Sequence, residues 1–100
     1  MDDVVFLIRE LNQVDANFNP VTRKDPRQVF CRARSVSRSE FYSAGQQGLH
    51  PALVLDMFQG DYHGERIAEF RGKEYAIYRT YQKVEEDSIE LYLEEKAGVD

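Results

Sequence analysis

Hydrophobic and polar residues alternate along most of this chain at the two-residue period of a β-strand, and the alternation stops at turn-forming residues. Residues 4–10 place Val4, Phe6 and Ile8 on one face and Val5 and Leu7 on the other, which predicts a strand covered on both sides. Residues 12–27 follow with Asn12, Asn17, Asn19, Pro20, Asp25 and Pro26, a composition that predicts a long polar loop. Loops of that length in compact domains commonly carry function. Residues 28–36 form a second predicted strand, with Val29, Cys31, Ala33 and Ser35 on a small-residue face and Phe30, Arg32, Arg34 and Val36 opposite.

A helical signal interrupts the strands. Ser37 or Ser39 can cap a short helix over 40–47, since a serine oxygen satisfies the free amides of a first turn. Phe41, Ala44 and Tyr42 are its candidate inward residues, and Gly48 suits the left-handed position after its end. From Leu53 the pattern becomes a meander: a strand over 53–59, a turn over 60–64, a short strand over 66–70 and a tight turn at Arg71-Gly72-Lys73. Residues 75–82 then alternate, placing Arg79 on the face of Ile77 and Tyr81, and 88–94 close with Ile89, Leu91 and Leu93 inward. Together these predict one mainly β domain over residues 1–100: a small antiparallel β-barrel of about six strands, with a helix or loop over 37–51 inserted between strands 2 and 3 and a frayed tail over 96–100.

Charge and composition narrow the chemistry. The net charge of −5 disfavours a protein that coats duplex DNA, which needs a basic face to displace counterions. Cys31 is the sole cysteine, so no internal disulfide forms; mid-strand on a small-residue face, it reads as a core residue rather than a nucleophile. No apolar run approaches the ~20 residues of a membrane span, and the start Met1-Asp2-Asp3 lacks a basic signal-peptide region, so synthesis in the cytosol is expected. His50, Asp56, Asp61, His63 and Glu65 are the residues from which a metal site would be built, but none has ligand spacing on a rigid element, and no metal or cofactor is assigned. Glu85, Glu86 and Asp87 read as a solvated loop. Arg79 needs a carboxylate, with Glu40, Glu65 and Glu69 as candidates. Residues 21–38 are basic and the last third is acidic, a polarity that suits head-to-tail association of copies into a ring.

Several motifs occur in a fixed order: SRSEFYSAGQQG at 37–48, then Pro51, DYHGE at 61–65, RGKEYAIYRTY at 71–81 and IELYL at 89–93. Their order and spacing resemble the tailed-phage head–tail joining proteins, also called head closure, head completion or stopper proteins. The resemblance implies a non-enzymatic β-barrel that assembles as a ring beneath the portal and adaptor proteins, extends the DNA channel, retains the genome and presents a docking surface for the tail-completion protein. It implies DNA passage without sequence-specific binding, no small-molecule substrate and a place in the virion. Candidate contact residues are Arg23, Lys24, Arg27, Glu40, Phe41, Tyr42, Asp61, Tyr62 and Arg79. The alternative from another class is a small single-stranded nucleic-acid-binding barrel, whose tyrosines stack bases.

Overall fold

The computed structural model describes residues 2–96. Six antiparallel strands form a closed barrel: β1 (Asp3–Val14), β2 (Pro20–Arg34), β3 (Pro51–Phe58), β4 (Ile67–Phe70), β5 (Lys73–Lys83) and β6 (Ser88–Glu95), ordered β1-β2-β3-β6-β5-β4 around the wall. One α-helix, α1 (Arg38–Gly45), joins β2 to β3. The expected architecture is therefore the observed one, with the helix between strands 2 and 3. The last four residues of the expected 96–100 tail lie outside the described residues.

The barrel interior takes the alternate residues that the period-2 pattern marks. Val5, Leu7, Val29, Cys31, Leu55, Met57, Leu91 and Leu93 are buried, with Ala68, Phe70 and Ile89 completing the cluster. Small residues on β2 and β4 leave room for the leucines of β3 and β6, which is how a narrow barrel fills without voids. Burial pushes the Cys31 thiol up to about 11, so the thiolate is scarce at neutral pH.

Two expectations are corrected. Residues 12–27 are not a loop: β1 and β2 pair continuously from Asp3–Cys31 to Val14–Pro20, and only 15–19 turn. Beyond the Ile8–Pro26 pair this hairpin has no third strand, because β4 ends at Ile8 and β3 pairs only with Arg32, Ala33 and Arg34. It projects as a two-stranded arm. The radius of gyration is 14.9 Å, with extents of 49 × 30 × 23 Å, against ~13 Å for a compact chain of this length. A ribbon solvated on both faces needs no apolar alternation, so its sequence carries turn-like composition instead. Second, Arg79 does not share a face with Ile77. The register slips between them, with Ile77 opposite Leu93 but Arg79 opposite Tyr92, so Tyr78 is the extra residue of a bulge and everything after it changes face.

Turn chemistry explains the connections. Arg71 (φ 53°) and Gly72 (φ 80°) make the two-residue β4–β5 hairpin in the left-handed geometry that matches strand twist. Gly64 has φ 87° with open space around its missing Cβ, so only backbone strain opposes a side chain there. Gly64→Val is expected to lower stability by roughly 1 kcal/mol or more; a thermal melt unchanged from the parent would show that the turn tolerates the strain.

Candidate interaction surfaces

Helix α1 is attached to the barrel wall through a polar contact. Ser37 caps it, accepting from Glu40 N at 3.1 Å, and the chain leaves by a reversal in which Leu49 N donates to Ala44 O and Gly48 N to Gly45 O, with Gly48 at φ 82°. Glu40 does not reach back toward the cap. Its carboxylate turns to β5, accepting from Tyr78 Oη at 2.7 Å and Arg79 Nη2 at 2.6 Å. Arg79 lies 4.0 Å over the Tyr92 ring. The bulge makes this contact possible, since without it Arg79 would face the barrel interior. Burial pushes the Glu40 carboxyl up, yet the bonds from Tyr78 and Arg79 outweigh it and hold its pKa below the usual range. The same burial and the same bond push the Tyr78 hydroxyl up.

The polar wall continues across β6 to β2. Tyr92 Oη donates to Glu90 at 2.6 Å, and Glu90 receives Arg34 at 2.7 Å and Lys83 at 3.0 Å. Arg34 also pairs with Asp56, the residue directly opposite Glu90 on β3. Two carboxylates facing each other across a strand pair repel; here two cations neutralise them. Asp56 Oδ1 remains buried without a hydrogen-bond partner.

A second cluster anchors the DYHGE turn at the root of the arm. Glu65 is 7% exposed. Its carboxylate receives Arg27 Nη2 at 2.7 Å and His63 N at 2.9 Å, while Arg27 also donates to Asp61 O at 2.6 Å. Tyr62 Oη donates to Glu65 O at 2.7 Å, and its ring packs on the core. Burial pushes the Glu65 carboxyl up, but the Arg27 and His63 bonds prevail and its pKa sits below the ordinary value.

The nine sequence-derived contact candidates thus divide. Arg27, Asp61 and Tyr62 form the turn clamp; Glu40 and Arg79 fix the helix; Lys24 is tied to Glu74 at 2.8 Å. Arg23 is exposed on the arm with only a 3.5 Å bond to Gln13, and Phe41 and Tyr42 are exposed on α1, edge to face at 6.2 Å. The charge polarity along the chain also changes meaning in three dimensions. Much of the basic segment is paired within the molecule, Arg27 to Glu65 and Arg34 to Asp56 and Glu90, so it is not a free basic surface awaiting an acidic copy.

Residues missed at the sequence level lie on the arm. Val14, Phe18 and Val21 are exposed around its tip, and Phe18 is the most exposed large hydrophobic, at 86%. The signal available was Asp15-Ala16-Asn17, a turn sequence in which Asp15 Oδ1 accepts from Asn17 N and Asn19 N. His50 and His63 are not brought together: His50 sits beside Pro51 and Glu95 at one mouth of the barrel, His63 beside Arg9 and Arg27 at the other. Among the described residues, no group of three or more His, Cys, Asp or Glu is placed to hold a metal, and no helix is long and apolar enough to cross a membrane. No protein-family model and no curated protein matches the chain.

Proposed function

We propose that this protein is a structural subunit of a tailed-phage head–tail connector, forming a ring below the portal and adaptor proteins that closes the DNA-filled head and receives the tail. The observation that carries the reading is a contact between two of the resembling motifs. Glu40 of SRSEFYSAGQQG holds Tyr78 and Arg79 of RGKEYAIYRTY, 38 and 39 residues away, so motifs separated in the chain meet as one structural unit. The resemblance implies a small β-barrel with a segment inserted between strands, and a six-strand barrel with a helix between β2 and β3 is compatible with it.

The physical properties fit that role. A net charge of −5 repels the DNA backbone, which suits a channel wall that the genome must pass without adhering. The polar network from Glu40 to Asp56 supplies rigidity rather than reactive groups, since its carboxylates are engaged by cations or hydroxyls. The protein is made in the host cytoplasm and ends in the virion on this reading. The test is assembly: packaged heads produced without this protein are expected to leak DNA and fail to join tails, and adding purified protein restores both. Heads that keep their DNA and join tails normally in its absence would overturn the assignment. Of the tyrosines that the single-stranded nucleic-acid alternative would use to stack bases, Tyr62 and Tyr78 are half-buried and hydrogen-bonded through their hydroxyls, whereas Tyr81 is exposed.

A further inference from the structure

The arm has two edges, and they are not alike. Ile77 N donates to Arg66 O at 2.9 Å, which extends the β4–β5 ladder past the Ile67–Ala76 pair. Hydrogen-bonded residues alternate along an antiparallel strand. Arg66, Ala68 and Phe70 therefore bond β5, while Ile67 and Glu69 turn to β1 and meet Ile8 and Phe6. It follows that the even-numbered residues of β1 point their N–H and C=O away from β2. The prolines agree: Pro26 faces Ile8 and Pro20 faces Val14, at pairs where no hydrogen bond crosses the hairpin and a missing N–H breaks nothing.

After Ile8, β1 loses β4 as a neighbour. Glu10, Asn12 and Val14 then present an unbroken row of backbone donors and acceptors, with no third strand and no other backbone partner among the described residues. On β2 the corresponding outward row lacks its donors at Pro20 and Pro26, which blocks strand addition on that side. A cavity of about 390 Å³ keeps the space beside the β1 edge open, between Ile8, Glu10 and Asn12 and the turn residues His63, Gly64 and Arg66. An extended backbone is what satisfies such a row of groups.

The edge also fixes which strand fits it. The open window runs from Glu10, the first outward residue past β4, to Val14, where the chain enters its turn. Outward residues bond outward residues, so a second window laid antiparallel must pair even positions with even. A copy of the same window, centred on Asn12, does this over its whole length: Glu10 meets Val14, Leu11 meets Gln13 and Asn12 meets Asn12. No like charges are opposed. A shift of two residues either drives Val14 into the place of β4 or sets Glu10 against the turn. In the centred register Val14, 63% exposed in one molecule, comes to lie diagonally beside Ile8 of the other. Asp15 of the second copy lands beside Arg9, already bonded to Asp25, and Arg66, which has no ion pair among the described residues. Charge permits the contact; the hydrogen-bond row and its length select it.

We infer that two copies of this chain pair antiparallel through residues 10–14 of β1, joining their arms into one ribbon in the order β2-β1-β1-β2 with a barrel at each end. The contact is isologous and closes at two copies. It is distinct from the contact of the proposed ring and does not rest on the connector reading. It seals the bare edge of the free subunit, which is otherwise a template for indiscriminate strand addition. About six backbone hydrogen bonds hold it, two for each directly bonded pair. So short a window falls below the ~1,200 Å² of stable interfaces, and the dimer is weak.

Sedimentation velocity of the full chain, from micromolar to millimolar concentration, tests this with two proline variants at one cross-strand pair. The parent is expected to shift from monomer to dimer. Asn12→Pro removes the donor on the two-fold axis without breaking a bond of the hairpin, and should dimerise at least ~tenfold more weakly. Thr22→Pro, directly opposite on the β2 edge, puts the same ring into the same arm and should dimerise like the parent. The register is read separately. Asn12→Cys lies on the two-fold axis, where opposed Cα atoms stand ~5.5 Å apart, within disulfide reach. Oxidised with diamide, it should give a disulfide-linked dimer, whereas the parent, whose sole cysteine Cys31 is buried, should stay unlinked. A parent that stays monomeric to millimolar concentration would leave the edge to a foreign strand and overturn the proposal. Equal loss of association in both proline variants, or an Asn12→Cys protein that does not link, would overturn it as well.

Discussion

Leu91→Ala is expected to cost about 3 kcal/mol, within the ~2–5 kcal/mol span of buried leucine truncations. Leu91 is fully buried on β6, the strand between β3 and β5, opposite Leu55 and Thr80. The barrel is closed and its neighbouring side chains Leu55, Met57 and Leu93 are themselves wholly inaccessible, so the wall has little freedom to collapse into the space. For a chain of this size each kcal/mol moves the melting temperature by ~4–8 °C, and a drop of roughly 12–24 °C follows. Circular dichroism melts measure it. Leu11→Ala, on the arm and outside the core cluster, serves as the contrast and should cost under ~1 kcal/mol. Equal losses at the two sites would mean that the arm packs on something and the barrel interior is looser than its geometry indicates.

The same distinction explains what was legible in the sequence. A strand with one dry face must repeat every second residue, and Ile89, Leu91 and Leu93 announce β6 directly. Val29 and Cys31 do so for β2, and Gly72 marks the β4–β5 hairpin because glycine takes the positive φ of that turn without steric cost. The arm was illegible for the converse reason. Most side chains of 9–26 are exposed, on both faces, so Asn, Pro and charged residues pair as strands without a hydrophobic repeat. The bulge at Tyr78 was illegible because the slip is set by the partner strand, through Leu93 and Tyr92, and nothing in 75–82 alone marks the residue that is left out. That slip decided the helix-anchoring site: Glu40 was among three candidate partners for Arg79, and only the three-dimensional register selects it. Of the exposed apolar residues, Phe41 and Tyr42 were singled out from the sequence and Phe18 was not, because its φ of 64° and its exposure are not carried by composition.

Arg27→Ala should be the most damaging surface-accessible change. The Glu65 side chain is 4% exposed and the Arg27 side chain 35%, so truncating the arginine strands a carboxylate in the interior with only the His63 amide left on it. Breaking a buried pair in this way costs ~3–5 kcal/mol; water at the half-open arginine side places the expected loss near ~3 kcal/mol in urea denaturation at neutral pH. Protonation offers the carboxylate an escape, which fixes the pH dependence. The Glu65 pKa is depressed in the folded parent, so its contribution to stability is present above the ordinary glutamate value of ~4.3 and disappears as pH falls through the lower folded value. In the variant the depressing cation is gone and burial is opposed only by the backbone amides, so the pKa rises relative to the parent and the carboxylate neutralises earlier. The gap between parent and variant is therefore expected to narrow on acidification from pH ~7 toward ~3. Arg27→Lys should recover only part of the loss, because an ammonium lacks the planar fork that donates to Glu65 and to Asp61 O together. Arg23→Ala, four residues along the same strand with only its long bond to Gln13, should stay within ~0.5 kcal/mol of the parent. A gap that held constant down to pH ~3 would place the cost in lost packing of the arginine stem rather than in a stranded charge, and would remove the electrostatic account of how the Asp61–Glu65 turn is held to the root of the arm.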